Sequence, residues 1–291
     1  MEWVELRTLV PRRWLDAVEE AFNGAGASAV TVAGAGDEPN FDPGGVWADN
    51  LVSAFFPAEE VPADLEARLA AAVGEPLALE HVPVEGEDWA HAWKERFGAF
   101  TVGERLWVRP SWVEEPVPEG RVELILDPGM AFGTGQHETT RLCMEWLDAR
   151  IDPESAPAVL DYGCGSGILA LAAAKLGAGG VLAVDNDPLA LEATRTNAAL
   201  NDVADRVRVA PAGPEVPAEG PFPRVVANIL ARTLKELADE LTAATAVGGE
   251  LCLAGVLAPQ AAEVEAAFPG IQWRNRALEG EWVRLDGVRE A

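Results

Sequence analysis

Three glycines at alternate positions follow a short apolar run and precede a helical pattern. The run 158–161 predicts a strand, and Gly163, Gly165 and Gly167 lie at the turn that follows it. Glycine lets such a turn bend tightly and lets a ligand approach the backbone where no Cβ stands in the way. A dinucleotide site has the spacing G-x-G-x-x-G, whereas the third glycine here comes one residue early. The turn therefore predicts a small-molecule site, with a purely structural tight turn as the alternative.

Two carboxylates accompany this turn. Asp161 ends the predicted strand, and a negative charge beside the glycines suits a ligand with a cationic part better than a pyrophosphate. Asp185 ends the next predicted strand, where an acidic residue commonly holds both ribose hydroxyls of an adenosine ligand. Asp187 fits the cap of the following helix better than Asp185 does. Together these features indicate an adenosine cofactor, and the glycine spacing and Asp161 favour S-adenosylmethionine over NAD.

A polar residue, Asn228, follows a third predicted strand over 224–227. Because the carboxyl ends of parallel strands line one crevice, we expect Asn228 opposite the glycine turn. Its side-chain oxygen is suited to accept a hydrogen bond from an amine and to aim the nitrogen lone pair at a methyl donor. Asn228 is therefore the candidate catalytic residue. An ordinary asparagine at a helix N-terminus is an equally weighted alternative.

A segment rich in Gly and Thr, residues 127–140, precedes another predicted helix. Its hydroxyl and backbone N–H groups are candidates to meet the cofactor's carboxylate or the substrate, and a capped helix is the alternative. His137 has the chemistry of a general base, but a single loop histidine is more often solvated, so we do not assign it that role. The three histidines and three cysteines lack metal-site or disulfide spacing, so we expect neither a metal nor a disulfide.

The elements that must position these residues alternate from about residue 135 onward. Helices are predicted over 139–149, 168–176, 189–200, 233–246 and 258–268. Strands are predicted over 158–161, 180–185, 206–209, 224–227 and 250–256, and two more close the chain. Such alternation is typical of a mostly parallel sheet with helices on both faces. Residues 99–130 add strand-like runs at 105–109 and 122–126.

The first 85 residues have a different pattern. Strands are predicted over 5–10, 29–33, 46–56 and 77–84, and helices over 13–22 and 62–73. The order βαββαβ is typical of a ferredoxin-like sandwich. Residues 85–98 predict a connecting helix in which Trp89 and Trp93 share one face. We therefore expect an N-terminal domain over 1–84, a linker helix over 85–98 and a larger domain over 99–291.

The charge balance disfavours several functions. Lys and Arg number 22 against 48 Asp and Glu, for a net charge of −26 at pH 7. Such a surface repels phosphate backbones, so direct nucleic-acid binding is not expected, while a basic partner is attracted. Adaptation to a high-salt interior is the equally weighted alternative. The apolar runs are too short to span a membrane and the N-terminus lacks a signal-peptide pattern, so we expect a cytoplasmic protein.

Several of these motifs resemble those of a known family. The segments at 129–140 (GMAFGTGQHETT), 161–170 (DYGCGSGILA), 184–188 (VDNDP) and 227–230 (ANIL) are similar in order and spacing to those of the PrmA family. The ending at 279–282 (EGEW) is similar as well, and the likeness spans roughly residues 85–285. The resemblance implies an α/β fold, a class I Rossmann-like methyltransferase domain dependent on S-adenosylmethionine. It also implies a small N-terminal α+β domain, ferredoxin-like, that recognises the substrate.

The same resemblance implies the substrate and the contacts. The substrate is protein L-eleven (L11) of the large ribosomal subunit, methylated on lysine side chains and on its N-terminal α-amine. The family's cofactor contacts, carried over position by position, fall on Thr140, Gly163, Asp185 and Asn228. The strand after Asp185 runs into Ala212 without an acid to contact the adenine amine, so no adenine contact is assigned.

The residues after Asn228 bear on the acceptor. They are Ile and Leu, not the Pro-Pro-aromatic pattern of enzymes that methylate planar amides or base amines, which favours an aliphatic amine. The alternatives are a class I methyltransferase for another protein, a small molecule or a nucleic acid, an NAD-dependent oxidoreductase, and a binding module without turnover.

Overall fold

The structure, a computed structural model, describes residues 3–27, 29–34, 49–84, 98–127, 137–213 and 216–290. It divides into two compact units, Met1–Arg96 and Phe97–Ala291. The predicted linker helix lies outside the described residues except for its last position, and so do residues 128–136 of the segment rich in Gly and Thr. In the described parts, no helix has the length and hydropathy needed to span a membrane.

The first unit is an antiparallel sheet with two helices. Its described elements are β1 (Trp3–Pro11), α1 (Leu15–Gly24), β2 (Ala29–Gly34), β3 (Asp49–Pro57), α2 (Leu65–Val73) and β4 (Glu80–Val84). The strands lie in the order β2-β3-β1-β4, and each neighbouring pair is antiparallel. The predicted ferredoxin-like order is therefore confirmed.

The apolar faces of the two helices supply the core of this unit. Val18 and Phe22 of α1 and Leu69 of α2 are fully buried. The ring of Phe22 lies 6.5 Å from that of Phe56 in β3. With Leu15 of α1 and Leu65 of α2, which are also buried, these positions recur at the three- and four-residue spacing of a helix, so one face of each helix covers the sheet.

The second unit begins with a small sheet. It consists of β5 (Phe100–Val102), β6 (Leu106–Arg109) and β7 (Val122–Ile125), in which β6 pairs antiparallel with β5 and parallel with β7. The strand-like runs predicted at 105–109 and 122–126 are confirmed, and β5 was not predicted.

A seven-stranded sheet follows. Its strands are β8 (Ala158–Tyr162), β9 (Gly180–Asp185), β10 (Val207–Pro211), β11 (Phe222–Asn228), β12 (Thr245–Leu257), β13 (Ile271–Glu279) and β14 (Trp282–Arg289). Their order is β10-β9-β8-β11-β12-β14-β13. The first five are parallel, whereas β14 is antiparallel to both of its neighbours. The chain leaves β8 toward one edge and returns at β11 to build the other, so the order reverses between β8 and β11.

Helices cover both faces of this sheet. They are α3 (Glu138–Arg150), α4 (Ile168–Lys175), α5 (Pro188–Leu200), α6 (Val216–Glu219), α7 (Ala231–Glu236), α8 (Ala238–Ala244) and α9 (Ala261–Ala266). One buried cluster joins the sheet to α3, α4 and α5, and a second joins it to α7, α8 and α9. The predicted parallel sheet between two helical layers is confirmed.

One predicted helix is wrong in its extent. The span 233–246 holds two helices that meet at Leu237, which ends α7 and begins α8. Strand β12 then begins at Thr245, whose buried hydroxyl donates to the carbonyl of Leu241. The apolar pattern continues across Leu237 in the same phase, so periodicity did not reveal the break.

The three cysteines of the chain are free and buried. Cys143 of α3 and Cys252 of β12 bring their Sγ atoms to 4.0 Å. Burial raises the pKa of Cys164, which lies in the glycine turn, to about 12, and it raises the pKa of Cys252 well above its ordinary value. The thiolate forms of Cys164 and Cys252 are therefore strongly disfavoured.

Candidate active site

The carboxyl ends of the five parallel strands lie side by side at one edge of the main sheet. In the order of the strands, from β10 to β12, this edge carries Ala212, Asp185, Gly163, Asn228 and Gly255. All five line a cavity of about 800 Å³. Open parallel sheets bind ligands at such an edge, where the strand order reverses. The structure thus brings three predicted site residues, Gly163, Asp185 and Asn228, into one cavity.

The backbone of the glycine turn forms part of the cavity wall. Gly163 has φ +80°, and a Cβ at this position would lie 2.4 Å from Cγ2 of Ile229. A side chain there would be strained by the backbone conformation and would collide with a neighbouring wall of the cavity. The absence of that side chain keeps the space over the turn open to a ligand.

The N–H groups of the turn are largely used within the protein. Gly163 and Cys164 donate to the carbonyl of Val184 at 2.8 and 3.0 Å. Gly165 donates to Oδ2 of Asp185 at 2.9 Å. A pyrophosphate needs such N–H groups to be free at the start of the helix. The turn is therefore poorly suited to a dinucleotide.

Asp185 faces the cavity with a carboxylate that the backbone holds in place. Oδ2 accepts from Gly165, and Oδ1 accepts from the N–H of Asp187 at 3.0 Å. A carboxylate oxygen accepts more than one hydrogen bond, so both oxygens retain capacity for the hydroxyls of a ribose. The side chain of Asp187 accepts from Leu189 at 2.9 Å, which confirms that Asp187 is the helix cap.

Asp161 does not lie in the cavity, so the expectation that it presents a charge to the ligand is wrong. Its side chain is fully buried, and Oδ2 accepts from the N–H of Ala170 in α4 at 2.9 Å. Within the described residues Oδ1 has no hydrogen-bond partner. Burial, with a smaller contribution from the charge of Asp185, raises the pKa of Asp161 to about 7. Side chains alternate along a strand, and Asp161 points to the face that α4 covers.

The amide of Asn228 is oriented by a neighbour. Its Nδ2 donates to Oγ1 of Thr140 at 3.3 Å, which leaves Oδ1 as an acceptor. Thr140 is only 2 % exposed, so it lies behind Asn228 and does not line the cavity. Helix α7 takes Leu230, not Asn228, as its N-cap. The alternative role of Asn228 as a helix cap is therefore wrong.

His137, Thr139 and Trp282 close the side of the cavity near Asn228. His137 caps α3, since its Nδ1 accepts from the N–H of Thr139 at 3.2 Å. Its ring meets the ring of Trp282 edge-on, with centroids 5.1 Å apart. The alternative for residues 127–140, a capped helix, is therefore present. Its cap, His137, also lines the cavity.

The charges around the cavity are of one sign. Among the described residues that line it, the carboxylates are those of Asp185, Glu236 and Glu240, and none is Lys or Arg. A cationic ligand is favoured in such a field, whereas a phosphate is not. The cavity therefore fits a positively charged nucleoside better than NAD.

Two features of the cavity were missed from the sequence. Tyr162 and Glu240 are 78 residues apart, and the Tyr162 hydroxyl donates to Oε1 of Glu240 at 2.8 Å. Nothing in the sequence pattern links these two positions. Gly255 interrupts an apolar strand, and a glycine there is a signal of close backbone approach that could have been used.

Comparison with known proteins finds relatives over nearly the whole chain. The sequence model of the family described as "Ribosomal protein L11 methyltransferase (PrmA)" matches residues 2–290. Among curated relatives, a protein named ribosomal protein L11 methyltransferase from Cellvibrio japonicus is 41% identical over 99% of each chain. One of the same name from Halorhodospira halophila is 43% identical over 95% of each chain.

A solved structure resembles most of the chain. It is that of a ribosomal protein L11 methylase from Lactobacillus delbrueckii subsp. bulgaricus, with 33% sequence identity and a TM-score of 0.61. The match covers 67% of this chain and 100% of the other.

Proposed function

Because the chain belongs to the PrmA family of ribosomal protein L11 methyltransferases, we propose that it transfers methyl groups from S-adenosylmethionine to lysine side chains and to the N-terminal α-amine of ribosomal protein L11. The observation that carries this proposal is the meeting of Gly163, Asp185 and Asn228 in one cavity. The described lining of that cavity has three carboxylates and no Lys or Arg, which suits a sulfonium cofactor.

The first task of the chain is to hold the cofactor. When bound, S-adenosylmethionine supplies an electrophilic methyl group on a sulfonium sulfur. Gly163 leaves room for it above the turn, and the carboxylate of Asp185 accepts hydrogen bonds from the ribose hydroxyls. Asn228 completes the cofactor contacts at the cavity wall, and the buried Thr140 supports them by holding the Asn228 amide from behind.

The second task is to present a neutral amine. A free lysine amine has a pKa of about 10.4 and an α-amine one of about 7.7–8.0, so lysine must lose a proton before it attacks. The apolar surfaces of Ile229, Leu230 and Trp282 line the cavity and disfavour the charged form of an entering amine, which releases its proton to solvent before it attacks. Oδ1 of Asn228 then accepts a hydrogen bond from the amine and orients its lone pair. Positioning and exclusion of water supply most of the rate enhancement.

The remaining parts of the chain bring the substrate to this site. The N-terminal domain, predicted over 1–84, holds ribosomal protein L11, and the net charge of −26 steers a basic partner toward the acidic chain. The reaction takes place in the cytoplasm, where ribosomal proteins are made.

The test uses the full chain with purified ribosomal protein L11, ribosomal RNA and labelled S-adenosylmethionine. Intact mass of the product is expected to rise in increments of one CH₂ unit, and peptide mapping is expected to place the increments on lysine side chains and on the N-terminal α-amine. Methyl label found only on ribosomal RNA, or only on side chains other than lysine, would contradict the proposal. Omission of the donor is the control.

A further inference from the structure

The hydrogen-bonded pair of Tyr162 and Glu240 forms a polar end of the cavity that the proposed transfer does not use. Tyr162 ends β8 and is 5 % exposed, while Glu240 is a half-buried residue of α8. The Tyr162 hydroxyl donates to Oε1 of Glu240 at 2.8 Å. Within the described structure Oε2 of Glu240 has no hydrogen-bond partner, although the residue lines the cavity. A carboxylate fixed at one oxygen is thus left with an open acceptor.

The order of the strands says toward which strand the base of a nucleoside would extend. Asp185, the ribose acid, lies on the β10 side of Gly163, whereas Asn228 lies on the other side. A cofactor whose methyl group is near Asn228 and whose ribose is at Asp185 extends its base toward the end of β10. The wall there includes Ala212 and Gly213.

The residues that follow β10 in this wall have no side chain that could accept a hydrogen bond from the base. Ala212 and Gly213 have no polar side chain, and the N–H of Ala212 is already donated to the carbonyl of Asp185 at 2.8 Å. Helix α8, which carries Glu240, packs against α6, the helix that follows this wall. Glu240, held by Tyr162 at the end of β8, lines the same cavity as Ala212 and Gly213 from the helical layer, so it can take the part that an acid after β10 would have taken.

We propose that Glu240 recognises the adenine of the cofactor. Its Oε2 accepts a hydrogen bond from the exocyclic amine of the base, and Tyr162 acts as a positioning residue that holds the carboxylate through Oε1. This assignment rests on the proposed S-adenosylmethionine site. It predicts discrimination against a base with a carbonyl in place of the amine, because two acceptors would then face each other without a proton.

The test measures binding by calorimetry of S-adenosylhomocysteine and of its inosine analogue, in which a carbonyl replaces the exocyclic amine. The wild type is expected to bind the adenosine compound about 10- to 100-fold more tightly than the analogue, the effect of one hydrogen bond to a charged group. Glu240→Leu should weaken binding of the adenosine compound by a similar factor and bring the ratio of the two affinities near one. Tyr162→Phe should reduce the ratio partway.

Two further variants serve as controls. Asp239→Leu removes the neighbouring carboxylate of α8, which is exposed and does not line the cavity, and it should keep both affinities. The double variant Tyr162→Phe with Glu240→Leu removes both partners, so it leaves no buried hydroxyl unpaired and provides a folded protein if Glu240→Leu alone is unstable.

The outcomes separate this inference from the proposed function. If the wild type binds neither compound, the cofactor assignment itself fails. If the wild type binds S-adenosylhomocysteine but the Glu240 variants keep the wild-type ratio, only the role of Glu240 is overturned. A Glu240 variant that changes the Michaelis constant of the protein acceptor, yet not the ratio, would overturn it as well and would place the acid at the acceptor amine.

Discussion

Asp161 shows how a single residue links the fold to pH. Its carboxyl group is buried against α4, and that burial raises its pKa to about 7, whereas an aspartate in the unfolded chain titrates near 3.8. Between these two values the folded protein binds a proton that the unfolded chain has lost. The free energy of unfolding therefore falls as pH rises from about 4 to about 7, by at most about 1.4 kcal/mol per pH unit for this group.

Asp161→Asn is expected to remove this dependence. The amide oxygen can still accept from Ala170, and the side chain no longer ionises. Relative to the wild type, the variant should gain about 2–3 kcal/mol of stability between pH 5 and pH 8, measured by urea unfolding. Asp205→Asn, at an exposed position, is the control. A difference in stability from wild type that stays constant with pH would show that Asp161 is not the group concerned.

Asn228 is expected to matter more for turnover than for cofactor binding. Asn228→Ala removes the oxygen proposed to orient the amine, and kcat should fall about 100-fold because misplacement of a reacting group has effects of that size. Thr140→Val should also lower kcat, because the Asn228 amide loses its hydrogen-bond partner at 3.3 Å. Thr140→Ser keeps the hydroxyl group and should therefore keep the wild-type kcat. The measurements are kcat and the cofactor Kd. Equal losses in both quantities for Asn228→Ala would argue against an orienting role.

Strand β12 supports the segment that carries Asn228. Gly255 has φ +80°, and a Cβ there would lie 2.4 Å from the carbonyl oxygen of Ile229. Gly248, in the same strand, has φ +74° with open space around its Cα. The two glycines therefore share the backbone requirement, and only Gly255 has a steric one.

This pair gives a matched prediction. Gly248→Ala should lower the free energy of unfolding by about 1–2 kcal/mol, the cost of a positive φ, and leave kcat unchanged. Gly255→Ala should lower it further, and it should reduce kcat at least about tenfold because the segment next to Asn228 must shift. Thermal unfolding and steady-state kinetics check both. Wild-type kcat in Gly255→Ala at full cofactor occupancy would rule out the proposed support.

The elements also show what sequence could and could not predict. Gly163, Asp185 and Asn228 were expected to meet because the carboxyl ends of parallel strands lie at one edge, and they do. The sequence wrongly indicated that Asp161 presents its charge to the ligand, because the pattern does not say which helix covers each face of a buried strand. The contact of Tyr162 with Glu240 depends on packing between a strand and a helix, and no local periodicity encodes it.

At the scale of the molecule, the net charge of −26 acts on the substrate before any contact forms. If ribosomal protein L11 is attracted by this charge, kcat/KM should fall about tenfold or more between low and high ionic strength, while kcat stays constant. Sucrose at matched viscosity is the control. A kcat/KM that is indifferent to salt would exclude steering.

Because of the same net charge, added salt should raise the stability of the chain, although it lowers kcat/KM. Like charges repel within the folded chain, and added salt screens them. The melting temperature should therefore rise with salt, by about 2–4 °C for each 1 kcal/mol of relieved repulsion. Scanning calorimetry in low and molar salt measures this. No loss of stability in low salt would exclude adaptation to a high-salt interior.

The buried cysteines have a practical consequence. All three native thiols are shielded, and two of them have pKa values far above neutrality, so alkylating dyes at pH 7 should react slowly with the folded chain. If one cysteine is introduced on the surface of each unit, a pair of maleimide dyes should react almost entirely with these two cysteines. No native cysteine then needs to be removed. Energy transfer between the two dyes would measure the distance between the labelled positions.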